Sequence, residues 1–313
     1  MQIINRLNNR VWWIAGTALI VTLFLGSALV REWETLISFR WQFRWVSIIA
    51  LVTMHTFALS TLFIVWHLMI VRFANIHNWR LNLNIYSLTV LSRRIPLPVW
   101  YVGSRMVLYR KVNVPMGVTL TATSLEAALI AIAGVIFYFA LFPWYTYAQD
   151  IPWWLFVVLG LFLVIIFAVH PGVVKDLINL ILKIFKKQPV QVEIQRNDLL
   201  LWCSIYLGTW LLDGLGLYFM TTAILVEKLP IAGVLGVSTV SALVAMTSLI
   251  LPGGLGLKEL AMGAMLSPWV PLSVGLVISI VYRGIYTFVE MMWAYVGHFL
   301  YQKSGGGAQN NPN

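Results

Sequence analysis

Six ionisable residues stand in apolar sequence where charge is rare: Glu126, Asp213, Lys258, Glu259, Arg283 and Glu290. A charge at the centre of a membrane helix costs about 2.5–3.5 kcal/mol on insertion scales, so each needs a partner, water or a task. Arg283 and Glu290 are seven residues apart. On a helix they share one face at a distance of about 10 Å, too far for a direct pair. Thr119, Thr123 and Glu126 recur at spacings of four and three, and Tyr206, Thr209 and Asp213 at three and four. Both acids therefore belong to polar stripes. If the stripes converge they line a hydrated cavity, and Glu126, Asp213, Glu259 and Glu290 are the residues expected to hold cations in place or carry protons. The structural alternative pairs Arg283 with Glu126 or Asp213 to lock helices together. As a group, the charges favour the cavity.

The run LPGGLGLKE, 251 to 259, has more specific content. Pro252, Gly253, Gly254 and Gly256 interrupt any helix. One restarting near Leu257 aims its unpaired amides and its positive dipole end at the break. Such an end attracts anions, and Lys258 adds a formal charge. A plain turn would rarely place three glycines between apolar segments. Earlier in the chain, Tyr101, Arg105 and Tyr109 recur every four residues, flanking a guanidinium with two phenols. An arginine so placed can bind a phosphate bidentately. It equally suits an interfacial anchor, the reading favoured for Arg93, Arg94 and Arg110, and Arg105 stays open between the two.

Residues for covalent or metal chemistry are not apparent. His55, His67, His77, His170 and His298 form no HExxH, and there is no phosphate-binding glycine loop, nucleophile elbow or cysteine cluster. Cys203 is the single cysteine and lies inside an apolar run, so neither a disulfide framework nor a thiolate metal site is expected. No catalytic residue, metal or cofactor is predicted.

The elements that must position these residues follow from composition. Of 313 residues 60% are hydrophobic and 10% charged, outside the range of soluble domains. About twenty apolar residues are needed for a helix to cross the hydrocarbon. Six stretches suffice, at roughly 11–30, 46–71, 116–141, 152–169, 198–225 and 271–298, with shorter apolar pieces at 83–109 and 231–267. They lack the alternation of barrel strands, and backbone amides in lipid must bond within their own segment, so the predicted class is all-α and polytopic. The first run is too long for a signal h-region and reads as a retained span. Trp12, Trp13, Trp153 and Trp154 sit at span ends, as an aromatic belt does.

Net charge is +10. The basic residues cluster beside spans, where they orient the chain and attract anionic lipid heads, so nucleic acid is not the expected partner. Residues 142–151 hold no Lys or Arg, whereas 171–197 hold Lys175, Lys183, Lys186, Lys187 and Arg196. The second of these loops is therefore expected in the cytoplasm, with both chain termini. Its segment 173–187 suits a helix lying along the inner membrane surface. The Gly-rich stretch 304–313 has nothing to bury and is expected to be disordered.

Two segments depart from simple spans. One breaks at Pro96 and Pro98, the other at Pro252, and each reads as helix, break, helix. Pro96 precedes Glu126 by thirty residues and Pro252 precedes Arg283 by thirty-one. The first unit follows a span entering the cytoplasm and the second a span leaving it. The expected architecture within 1–303 is thus a pair of inverted repeats, about 46–141 and 198–300, a transporter design with its site between the repeats.

At these residues the chain resembles the flippase-like family of lysylphosphatidylglycerol synthase transmembrane-region proteins. The resemblance rests on LPGGLGLKE, on IPLPVWYVGSRMVLYRK with the following Glu126, and on YRGIYTFVEMMW with Arg283 and Glu290. It implies a lipid-handling membrane domain that moves phosphate-bearing lipid, a phospholipid or a polyprenyl phosphate, between leaflets. Bifunctional members carry a soluble aminoacyl-transfer domain, and this chain ends ten residues after Lys303, so synthase activity is not expected. Arg105, Lys258, Arg283 and the backbone at Gly253, Gly254 and Gly256 are the expected head-group ligands. Two other readings stay open: an intramembrane transferase with Glu126 or Asp213 as base, and a scaffold recruiting lipid- or glycan-processing enzymes.

Overall fold

The computed structural model describes residues 26–27, 30–92, 99–145, 194–247 and 256–304. The expected spans at 11–30 (in large part) and 152–169, the surface helix at 173–187, the breaks at Pro96, Pro98 and Pro252 to Gly254, and residues 305–313 lie outside them. The described elements are helices, and the strand-like contact among them is an isolated bridge between Trp41 and Leu225. In chain order they are α1 (Trp33–Ser38), α2 (Trp45–Ala74), α3 (Trp79–Ser92), α4 (Val99–Arg110), α5 (Met116–Tyr145), α6 (Arg196–Ile224), α7 (Ile231–Thr247), α8 (Leu257–Leu266) and α9 (Leu272–Lys303).

Local sequence sets the boundaries. Pro115, Pro230 and Pro271 stand immediately before α5, α7 and α9, where a missing N–H costs nothing and the fixed φ suits a helix start. Helix α2 stops at Asn75, which takes a left-handed φ of 55° and returns its N–H to the Val71 carbonyl, as a side chain able to bond its own backbone tolerates. Among the described residues four helices are long and apolar enough to cross a membrane: Trp45–Ala74, Met116–Leu141, Arg196–Ile224 and Leu272–Lys303. They coincide with four of the expected spans. The apolar pieces at 83–109 and 231–267 each divide into two short helices, as the proline breaks predicted.

After α1 the described helices form two quartets with the same order of lengths. The first runs 30, 14, 12 and 30 residues (α2 to α5), and the second 29, 17, 10 and 32 (α6 to α9). The leading helices α2 and α6 form the central pair and run antiparallel. The Arg44 N–H donates to the Ala223 carbonyl at 3.0 Å at one end, Thr61 and Thr209 share a hydrogen bond of 2.8 Å midway, and Arg72 meets Asp198 at 3.2 Å at the other. Each quartet also lends its second helix to the other, α3 packing on α9 and α7 on α5. Large side chains such as Ile49, Phe57 and Ile64 on α2, and Val281, Phe288 and Met292 on α9, remain on the outer surface. In lipid that surface needs no further burial.

Close packing of α8 on α9 depends on glycine. A Cβ on Gly275 would stand 2.9 Å from the Gly263 carbonyl oxygen, and one on Gly263 would stand 2.8 Å from Leu276. Small residues are what let two membrane helices approach this closely. Gly275→Val is expected to push α8 away and destabilise the protein by about 1–3 kcal/mol, the usual range for overpacking. Thermal unfolding in detergent should show the loss, whereas Gly284→Ala, where an added Cβ meets nothing within 4 Å, should be near neutral.

Candidate functional site

Helices α7, α8 and α9 enclose a cavity of about 190 Å³, lined among others by Ala242, Lys258, Glu259, Tyr286, Arg283 and Glu290. Four of the expected site residues therefore share one hollow. Arg283 and Glu290 both face it, as their seven-residue spacing required. The partner of Arg283 differs from both structural alternatives read from the sequence: its Nη1 donates to Glu259 Oε1 at 2.5 Å, while Glu126 and Asp213 are engaged elsewhere.

The start of α8 explains why Glu259 is so well placed. Gly256 adopts a φ of 82°, a left-handed conformation that glycine enters without strain. Its N–H then donates to Glu259 Oε2 at 2.6 Å. Glu259 thus ties off one amide at its own helix start and holds Arg283 with its other oxygen. The Arg283 side chain keeps 18% of its surface exposed while Glu259 keeps 5%. The guanidinium therefore reaches the cavity and its carboxylate stands behind it. Lys258 brings a second cation, its Nζ 5.8 Å from the ring centres of both Tyr282 and Tyr286. Its ammonium forms no ion pair with any described residue. Of the glycines expected to bind an anion, Gly256 is described, and its amide is taken by Glu259; Gly253 and Gly254 lie outside the described residues.

Asp213 sits behind the cavity wall. Its carboxylate accepts from Tyr286 at 2.7 Å and from Ser238 at 2.8 Å, and its backbone carbonyl accepts from Tyr282 at 2.9 Å. The Tyr282 and Tyr286 hydroxyls also touch each other. His55 of α2 stacks on Tyr286 with ring centres 3.4 Å apart. This network joins α2, α6, α7 and α9. Ser238 and the two tyrosines were missed in the sequence, although Tyr282 and Tyr286 stand four residues apart beside Arg283.

The first quartet holds a second ion pair. Arg105 donates through Nη1 to Glu126 Oε2, with side-chain exposures of 0% and 1%. Tyr101 donates to the same oxygen at 2.7 Å, and Arg105 Nε donates to the Thr89 hydroxyl at 3.2 Å. Aromatic rings close the cage: the guanidinium carbon lies 3.8 Å from the Trp66 ring centre, 4.3 Å from that of Tyr101 and 4.8 Å from that of Tyr86. Such contacts strengthen when desolvated. Arg105 is thus neither an interfacial anchor nor open to a head group in this conformation. Thr119, Thr123 and Glu126 are buried, as is every residue between them, so burial does not single out their face.

Among the described residues no group of three or more His, Cys, Asp or Glu is arranged to hold a metal. The cavity brings two cations, Lys258 and Arg283, and two carboxylates, Glu259 and Glu290, to one lining, and Glu259 holds Arg283. No protein-family model, curated protein or solved structure matches the chain.

Proposed function

We propose that this protein is a multi-pass cell-membrane transporter of phosphate-bearing lipids, built of two inverted halves with both chain termini in the cytoplasm. The observation that carries the reading is the pairing of Lys258 with the part-exposed Arg283 on one cavity inside an apolar helix bundle. Glu259 and Glu290 line the same hollow, so it is the placing of the two cations side by side, not a net positive charge, that suits a phosphate, which spreads its charge over several acceptor oxygens. The acyl or prenyl chains of the lipid would stay outside the bundle, against the apolar surface of α9. A charge inside a membrane protein is by default a mark of function. The antiparallel packing of α2 on α6 and the matching order of helix lengths support inverted halves, the arrangement in which transporters place a site between repeats.

The test has two parts. Lipid extracted from the purified protein should be enriched in one phosphate-bearing class, and Lys258→Gln combined with Arg283→Gln should lose that enrichment. Vesicles of phosphatidylethanolamine and phosphatidylglycerol containing the protein should also move fluorescent phosphatidylglycerol or fluorescent polyprenyl phosphate between leaflets faster than empty vesicles. Absence of both enrichment and movement would overturn the reading.

A further inference from the structure

The two ion pairs occupy equivalent places in their quartets but carry opposite charge order. Each joins the short third helix to the long fourth helix. In the first quartet arginine is on the short helix and glutamate on the long one, 21 residues on; in the second the glutamate comes first and the arginine 24 residues later. A third pair, Arg72 with Asp198, joins the two quartets to each other. The other two lie one in each half.

Their environments differ as sharply as their positions agree. Arg283 borders a cavity and is 18% exposed, whereas Arg105 is sealed at 0% behind three aromatic rings. They also lie on opposite sides of the bundle centre. Along α2, His55 marks the level of the second site and Trp66 that of the first, with the Thr61–Thr209 hydrogen bond between them. Eleven residues of helix correspond to roughly 16 Å of depth. Two equivalent halves in unequal states, one open and one closed, are what a rocking transporter presents at one moment of its cycle.

We infer that the first quartet holds a second head-group anion site at Arg105, closed here by Glu126 and its aromatic cage, and that the two sites open in alternation. This rests on the lipid-transport reading and gives it a route: an anion leaves Arg283 at one depth and is received by Arg105 at the other. The reversed charge order has a consequence for the receiving end. Opening α4 from α5 carries Arg105 with the short helix, whereas Arg283 stays on its long helix.

Reciprocity is the test, and it needs no lipid. With Cys203→Ser as background, Thr89→Cys reports on the first site and Ala242→Cys on the second through their reaction with a membrane-impermeant methanethiosulfonate. Adding Glu126→Gln should loosen the first site, raising Thr89→Cys labelling and lowering Ala242→Cys labelling. Glu259→Gln should do the reverse. Each change should be at least about fivefold, the lower end of coupling between linked sites. If both variants alter labelling at their own site alone, or if Thr89→Cys is labelled in neither, the inference is overturned. Transport could still be present in that case, so the two readings fail separately.

Discussion

Arg105→Ala is expected to destabilise the protein by about 3–5 kcal/mol, the range for breaking a buried pair by removing one partner. The size of the effect comes from what stays behind. Glu126 is 1% exposed, and Arg105 is the cation that Nη1 and Nη2 bring to both of its oxygens. Tyr101 would remain as a hydroxyl donor, which satisfies a lone pair without balancing the charge. Replacing both partners, Arg105→Met with Glu126→Leu, should recover most of the loss, because neither side then buries an unpaired charge. Thermal unfolding in detergent reads both results. The double variant matters most, since a purely structural clamp predicts that it would transport normally, whereas a second anion site predicts stable protein with transport lost. A double variant as unstable as Arg105→Ala would show that the aromatic cage, with Trp66 at 3.8 Å, depends on the cation for its packing.

How much of this was readable before the structure depends on the range of the interaction. Long apolar runs are local, so α2, α5, α6 and α9 fall where hydrophobicity put them. Proline breaks are local too, and each of the two broken segments became a pair of short helices. One face set by helical spacing also carried over: Arg283 and Glu290 line one cavity. Pairing was not readable. Glu126 and Asp213 are the partners the sequence offers Arg283, and spacing does not point to Glu259. What selects Glu259 is the turn at Gly256, whose positive φ starts α8 so that Glu259 both caps the helix and faces α9.

Tryptophan shows the same limit from the other side. The residues at span ends read as a belt because amphipathic rings gather at the interface. Trp66 lies inside a span instead, fully buried, and serves as the floor of the Arg105 site while its ring nitrogen donates to Tyr109 at 2.9 Å. Nothing in the local sequence separates that role from ordinary core packing. Only the arrival of α4 against α2 does so, and that contact spans 39 residues between Trp66 and Arg105.

Glu259→Gln and Arg283→Gln should move phosphate affinity in opposite directions, although both remove the same ion pair. In the present conformation Glu259 holds Arg283 at 2.5 Å, so any incoming anion competes with it for the guanidinium. A hydrogen bond to a charged group contributes about 1.5–3 kcal/mol. Relieving that competition should tighten binding by roughly ten- to a hundredfold, since each 1.4 kcal/mol is a factor of ten. Glutamine can still accept the Gly256 N–H through its amide oxygen, so the turn that starts α8 should survive. Arg283→Gln instead removes the cation and leaves Glu259 buried near the cavity, where it repels the anion; binding should fall by at least as much, with Lys258 as the remaining positive charge. Titration of detergent-solubilised protein with a short-chain phosphatidic acid would compare the three proteins directly. If both variants weaken binding alike, the pair acts as a single structural unit and Arg283 does not bind the head group. If only Arg283→Gln does so, Glu259 positions the guanidinium without competing for it. Tighter binding in Glu259→Gln should also slow turnover, because the carboxylate that competes with the head group on arrival is the group that displaces it on release.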